Sequence, residues 1–206
     1  MWPNSPETLE LLDRVRQGEA TAVDRLLSRH REPMRRMIDM RLDRAVAARV
    51  DASDIVQEVF LEASRRLPEY LRDSAMPFHL WLRHIARDHI IDAHRRHRQA
   101  QRRTVDRERP MKAAVADHSS IELIAQFVDK ELTPATAAIR REMETRFQQA
   151  LGSLDEDDRD VILMRHFEQL SNQETATALS LTEAAASMRY LRAIRRLRAS
   201  LAPGEP

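Results

Sequence analysis

The sequence contains no cysteine. That absence excludes a disulfide scaffold, a thiol nucleophile and thiolate metal sites, and it fits a reducing cytoplasm. Glycine is scarce too, with 3 in 206 residues, and aromatic residues make up only 4%. With 33% of residues charged, such a chain is expected to be all-α, built as one or two small helical domains with modest cores. No apolar run approaches the length of a membrane span, and Met1 to Glu10 lacks a basic start followed by a hydrophobic stretch. The expected setting is therefore the cytoplasm, with no membrane partner.

The net charge is only +1, but the charges are segregated. Between Arg83 and Arg103 there are seven arginines and four histidines against Asp88 and Asp92, whereas Asp51 to Glu62 and Asp155 to Asp160 are acidic. Different surfaces are thus expected to meet different partners.

Leu154 to Leu201 reads as a helix-turn-helix. Asp155-Glu156-Asp157-Asp158 places carboxylates at the positive end of a helix carrying Val161, Ile162, Met164 and Phe167. Ser171 and Glu174 have capping-box spacing for a short helix, Asn172 to Leu179, and Ser180-Leu181-Thr182 forms the turn. Glu183 to Leu201 is the next helix, with Met188, Leu191, Ile194 and Leu201 placed inward and Arg189, Arg192 and Arg196 sharing the outer face. A short helix, a tight turn and a basic second helix suit a DNA major groove. The turn lacks the glycine often found there, and Ala184 to Ala186 open the second helix. Alanine permits close approach to base edges and thymine methyls.

A first domain is read from residue 7 to 103. Leu9, Leu12 and Val15 begin one amphipathic stretch, Gly18 breaks it, Ala22, Leu26 and Leu27 begin another, and Met34 to Leu42 forms the next. Asp51 is read as the N-cap of a helix that Pro68 terminates. On that helix Ile55, Val56, Val59, Phe60, Ala63 and Leu67 make a buried stripe, while Asp54, Gln57, Glu58, Leu61 and Glu62 make a polar face containing one exposed leucine. Such a face suits docking to a basic protein helix, although a single acidic stripe is more commonly just solvated.

After a loop, Phe78, Trp81, Leu82, Ile85, Ala86, Ile90 and Ala93 are read as core, and Trp81 as packing rather than as a base-stacking platform. Arg83, Arg87, His94, Arg95 and Arg98 are placed on the opposite side as a basic strip for phosphate contacts. His84, His89, His94 and His97 make a poor metal set, because five-residue steps rotate too far round a helix. Residues 104–134 are read as a linker with one short amphipathic element, Ile121 to Leu132. A second domain spans 135–201, with Ile139, Met143, Phe147 and Leu151 leading to Gly152.

Asp51-Ala52-Ser53-Asp54-Ile55-Val56-Gln57-Glu58-Val59-Phe60-Leu61-Glu62-Ala63, Phe78-His79-Leu80-Trp81-Leu82-Arg83-His84-Ile85-Ala86-Arg87, and Ile91-Asp92 with the arginine cluster resemble region two of bacterial sigma factors. The type resembled is the extracytoplasmic-function, or group four, class. The stretch from Ala150-Leu151 and Leu154 through Ser187-Met188-Arg189-Tyr190-Leu191-Arg192-Ala193 resembles region four of the same family. The resemblance implies two helical domains joined by a flexible linker, no active site, and no cofactor. It implies core RNA polymerase and promoter DNA as partners, and in this family an anti-sigma factor is a common third.

By the same resemblance, Asp54, Gln57, Glu58, Leu61 and Glu62 would meet the polymerase clamp helices. Arg87, Asp88, Asp92, Arg95 and Arg96 would engage the minus-ten element. Glu183, Ala185, Ser187, Met188, Arg189, Arg192 and Arg196 would meet the minus-thirty-five element, with Arg195 near phosphates. Asp88 stands where many members have asparagine, and Ala186-Ser187 where many have valine-lysine, so promoter sequence does not transfer. Asp88 either reads a cytosine amino group or pairs with an arginine. The competing readings are a stand-alone helix-turn-helix regulator, which leaves the first domain unexplained, and a polymerase-binding adaptor indifferent to Arg189 and Arg192. An enzyme reading finds no nucleophile–base set, phosphate loop or metal set behind it.

Overall fold

The computed structural model describes Trp2 and residues 6–73, 76–103 and 137–201. The stretch read as a linker, with its short element Ile121 to Leu132, lies outside the described residues. All regular secondary structure among the described residues is helical. The chain divides into two compact units, Met1–Ala114 and Val115–Pro206.

The first unit begins with α1 (Pro6–Arg16) and α2 (Ala20–Arg41). Gly18 turns the chain between them at φ +83°, a conformation other residues adopt only with strain. Its N–H donates to Val15 O at 2.9 Å, and Glu19 N–H donates to Arg14 O at 3.1 Å. The two stretches after Gly18 that the sequence suggested as separate are one helix. It runs through Pro33 because Leu26, Leu27, His30, Met34, Met37 and Ile38 continue a single buried face across the proline. A short α3 (Arg44–Ala47) leads to α4 (Ala52–Arg72) and α5 (Phe78–Arg103). Helices α2, α4 and α5 pack on one another, with α1 against α2.

Asp51 caps α4 as expected, its carboxylate accepting from Ser53 N–H at 2.7 Å. Pro68, however, does not end the helix, which continues to Arg72. An internal proline costs about 3 kcal/mol. Here the buried Leu67 and Tyr70 flank it, and burying each contributes on the order of 1.5–3 kcal/mol. Tyr70 packs on Phe78 and Trp81 with ring centroids 5.5 and 4.7 Å away, and its hydroxyl donates to Met76 O at 3.1 Å. Ser64, whose carbonyl loses its helical donor, is exposed and open to water.

The second unit comprises α6 (Ala137–Ser153), α7 (Glu156–Ile162) continued by one π-helical turn (Leu163–Phe167), α8 (Asn172–Leu179) and α9 (Glu183–Leu201). Helix α9 packs on α6, α7 and α8. Phe147, Val161, Ile162, Leu163, Met164, Ala186, Ala193 and Leu197 are fully buried and form the core. The side chains of Ile139 and Met143 lie outside the described ones.

The capping box of α8 is formed: Glu174 N–H donates to Ser171 Oγ at 3.1 Å and Ser171 N–H to Glu174 Oε2 at 2.8 Å. A Ser171→Ala substitution is expected to cost about 1 kcal/mol, seen as a lower thermal midpoint for the second unit with no change in helix content. The turn without glycine is made by Ser180, which adopts φ +54° itself while Leu181 N–H donates to Ala176 O at 2.9 Å.

Candidate polymerase and nucleic-acid interfaces

The face of α4 is as the sequence drew it. Ile55, Val56, Val59, Phe60, Ala63 and Leu67 are buried. Asp54 and Gln57 are exposed, Glu58 and Glu62 are half-exposed, and Leu61 stands 62% exposed among them. The Ser53 backbone and hydroxyl hold the Asp51 carboxyl below its ordinary range, which keeps negative charge at the start of this face. Glu58 differs from its neighbours. Its Oε2 sits 3.3 Å from His89 Nδ1 and 3.3 Å from Arg96 Nη2, so it ties α4 to α5.

On α5, Arg87, Asp88, Asp92, Arg95 and Arg96 are all exposed on one side of the helix, and Ile91 lies among them 45% exposed. Asp88 pairs with no arginine among the described residues. Two members of the expected basic strip lie elsewhere. Arg83 is buried at 2% exposure, because it shares the inward arc with Leu82 and Ala86. His94 is half-buried and binds the turn after α2, with Nδ1 3.1 Å from Asp43 Oδ2 and Nε2 3.2 Å from Arg41 O. The side chain of Arg98 lies outside the described ones. The α5 histidines diverge as their spacing implied: His89 meets Glu58, His94 meets Asp43, and His97 is buried. Burial and Arg83 push His84 below its ordinary value.

In the second unit the helix-turn-helix is locked by polar contacts. Asn172 Nδ2 donates to Glu183 O at 3.1 Å, Ser187 Oγ donates to Asn172 Oδ1 at 3.1 Å, and Ala185 N–H donates to Thr182 Oγ1 at 3.2 Å. Ser187 therefore ties α9 to the start of α8.

The faces of α9 match the expectation in part, with Ile194 buried and Arg192 and Arg196 exposed. Met188 and Leu191 point outward, 60% and 48% exposed, and Leu201 is only half-buried. The inward arc is made by Ala186, Ala193, Ile194 and Leu197. Ala186 and Ala193 let α9 approach its neighbours closely, and Ile194 and Leu197 fill the space beside them.

The arginines expected on the outer face, Arg192 and Arg196 exposed and Arg189 half-buried, also lean toward the acidic start of α7. Arg189 pairs with Asp157 at 3.0 Å and Arg192 reaches Asp158 at 3.9 Å. Arg196 Nη1 donates at 2.6 Å to both Asp155 and Asp158. Asp155 also caps α7, accepting from Asp158 N–H at 2.9 Å; that bond, and then Arg196, hold its carboxyl below the ordinary range. Glu183, Ala184, Ala185 and Arg195 remain exposed. The sequence reading missed Leu191 as a surface residue and His89 as the partner of Glu58. The alanines give no signal for Leu191, because Ala184 and Ala185 are exposed while Ala186 and Ala193 are buried.

One helical unit presents an acidic face beside a basic strip, and the other holds a helix-turn-helix. The ECF sigma factor model matches residues 6–201. The chain belongs to the ECF sigma factor family, whose members are alternative sigma factors that direct transcription. It is 29% identical over 195 residues to the RNA polymerase sigma-H factor of Pseudomonas aeruginosa, covering 94% of this chain and 93% of that one. It is 31% identical over 194 residues to the ECF RNA polymerase sigma factor SigD of Mycobacterium bovis, covering 92% and 83%.

Among solved structures it shares its fold with CnrH bound to the cytosolic domain of CnrY, with a TM-score of 0.59, 23% identity and coverage of 93% and 94%. It also shares it with the sigma factor RpoE bound to the anti-sigma factor NepR from Bartonella quintana, with a TM-score of 0.55, 17% identity and coverage of 84% and 92%. No helix among the described residues is long and apolar enough to cross a membrane.

Proposed function

We propose that this chain docks on core RNA polymerase through the α4 face Asp54, Gln57, Leu61 and Glu62, and lends the enzyme promoter specificity. The observation that carries this reading is Leu61, 62% exposed in the middle of an acidic face. A large exposed apolar residue with Gln57 and Glu58 one turn before it and Glu62 beside it is well suited to a partner helix that offers apolar and basic groups together. Glu58 contributes by holding Arg96 and His89 at the border of the face.

Arg87, Asp88, Asp92, Arg95 and Arg96 engage the minus-ten element, where a row of exposed arginines holds phosphates of the separated strands. Helix α9 enters the major groove at the minus-thirty-five element through Glu183, Ala185, Met188 and Arg192. Ser187, Arg189 and Arg196 act chiefly by fixing α9 against α8 and α7. The protein works in the cytoplasm with no reaction centre or cofactor of its own. Since RpoE is bound to the anti-sigma factor NepR, an inhibitor covering these faces is the expected third partner.

The full chain is expected to co-elute with bacterial core RNA polymerase and to be displaced by a primary sigma factor. A folded chain that never joins core polymerase, yet binds duplex DNA alone, would replace this reading with that of a stand-alone regulator.

A further inference from the structure

The outward face of α9 carries a short apolar line between the exposed Glu183, Arg192 and Arg195. Ala184, Met188, Leu191 and Arg195 follow one another at steps of four, three and four residues, which places them in one line along the helix. All four are exposed, Met188 at 60% and Leu191 at 48%. Three groups that could read bases by hydrogen bonds are held to the side, Arg189 by Asp157, Arg196 by Asp155 and Asp158, and Ser187 by Asn172, so at the positions of Met188 and Leu191 the helix offers the groove only apolar groups.

A major groove offers donors, acceptors and one apolar feature, the thymine methyl group. Alanine, methionine and leucine side chains satisfy none of the first two and leave them dehydrated. Only the methyl group is matched by such a line. Duplex DNA is favoured over a protein as occupant by charge, because the apolar line is short and is flanked and ended by the exposed Arg192 and Arg195, which suit phosphates.

Resting on the promoter-binding reading given above, we propose that Met188 and Leu191 read thymine methyl groups, so that the minus-thirty-five element of this sigma factor is selected for thymine at their positions. Ala184 lets the helix lie close enough for those contacts.

The test uses holoenzyme made from the full chain and core polymerase. Preferred upstream elements are selected from a randomised duplex library, and each thymine of the winner is then replaced singly by deoxyuridine, which differs only by the methyl group. Replacement at one or two positions should weaken binding about fourfold each, the factor for withdrawing one methyl from an apolar contact. Met188→Ala and Leu191→Ala should each make thymine and uracil equivalent at one of those positions. Both side chains are exposed, so the variants keep their fold, which circular dichroism verifies.

Equal binding of thymine and uracil at every position, with the selected element still required, overturns methyl reading while leaving the sigma-factor reading intact. It would assign the apolar line to a protein partner. Failure of the chain to assemble on polymerase is visible in the same elution and overturns the proposed function itself.

Discussion

Replacing Leu61 with glutamate and Glu62 with lysine is expected to weaken binding to core polymerase on the order of 100-fold or more. A buried apolar anchor at an interface centre is worth about 2 kcal/mol or more, and a reversed charge beside it adds a repulsive term. Leu61 is 62% exposed and the buried stripe of α4 lies on the opposite side, so neither change disturbs the core. Glu58 makes a poorer probe, since its carboxylate already serves His89 and Arg96. Reversing it would loosen the α4–α5 contact along with any contact to polymerase. Affinity is read by displacement of a labelled wild-type chain from core polymerase, with helix content as the control. Unchanged displacement by the folded double variant would remove the α4 face from the interface.

The α4 face was legible in the sequence because one helix carried both signals in one period. Six apolar residues fixed the inward side, and the remaining positions had to point outward. Where Pro68 falls, local and tertiary preferences disagree, and the sequence alone does not show that Tyr70 will find Phe78 and Trp81 from across the next turn. Pro33 inside α2 poses the same conflict. Helix propensity describes a chain without neighbours, and both prolines sit where buried residues on either side outweigh it.

Helix α9 departs from its sequence pattern for a different reason. Size is a poor mark of burial here: Ile194 is buried, but Met188 and Leu191 point outward beside the exposed Arg192 and Arg196. The arc that is buried carries Ala186 and Ala193, whose small side chains let helices approach, and the three arginines follow the carboxylates of α7. The acidic run at 155–158 was visible as helix-terminal charge. Its second use, as the partner of arginines 32 to 41 residues on, is a tertiary fact that spacing within one helix cannot report. Arg83 shows the converse: a charge counted into a surface strip by its type, yet placed on the inward arc by its register.

Lowering the pH below about 6.5 is expected to destabilise the first unit through His30, at about 1.4 kcal/mol per pH unit. His30 is fully buried on α2, with its ring 5.1 Å from Phe78 and 6.2 Å from Trp2; Trp2 lies 6.2 Å from His79 on its other side. Burial, then the like charges of His79 and Arg29, push its pKa down from 6.5 to about 3. The folded state therefore keeps the imidazole neutral where the unfolded chain already binds a proton. Between those two values the unfolded chain carries the extra proton, so stability falls as pH falls and is fully present above 6.5.

At pH 4.5 the loss is on the order of 2.5 kcal/mol, a large share of what a small domain has. Both tryptophans, Trp2 and Trp81, belong to the first unit, so fluorescence-detected urea unfolding reports this unit alone. A His30→Leu variant should lose most of the slope of midpoint against pH while keeping an apolar contact with Phe78. Parallel slopes in the two proteins would show that protonation elsewhere drives the acid sensitivity, and that His30 is not held neutral by its burial.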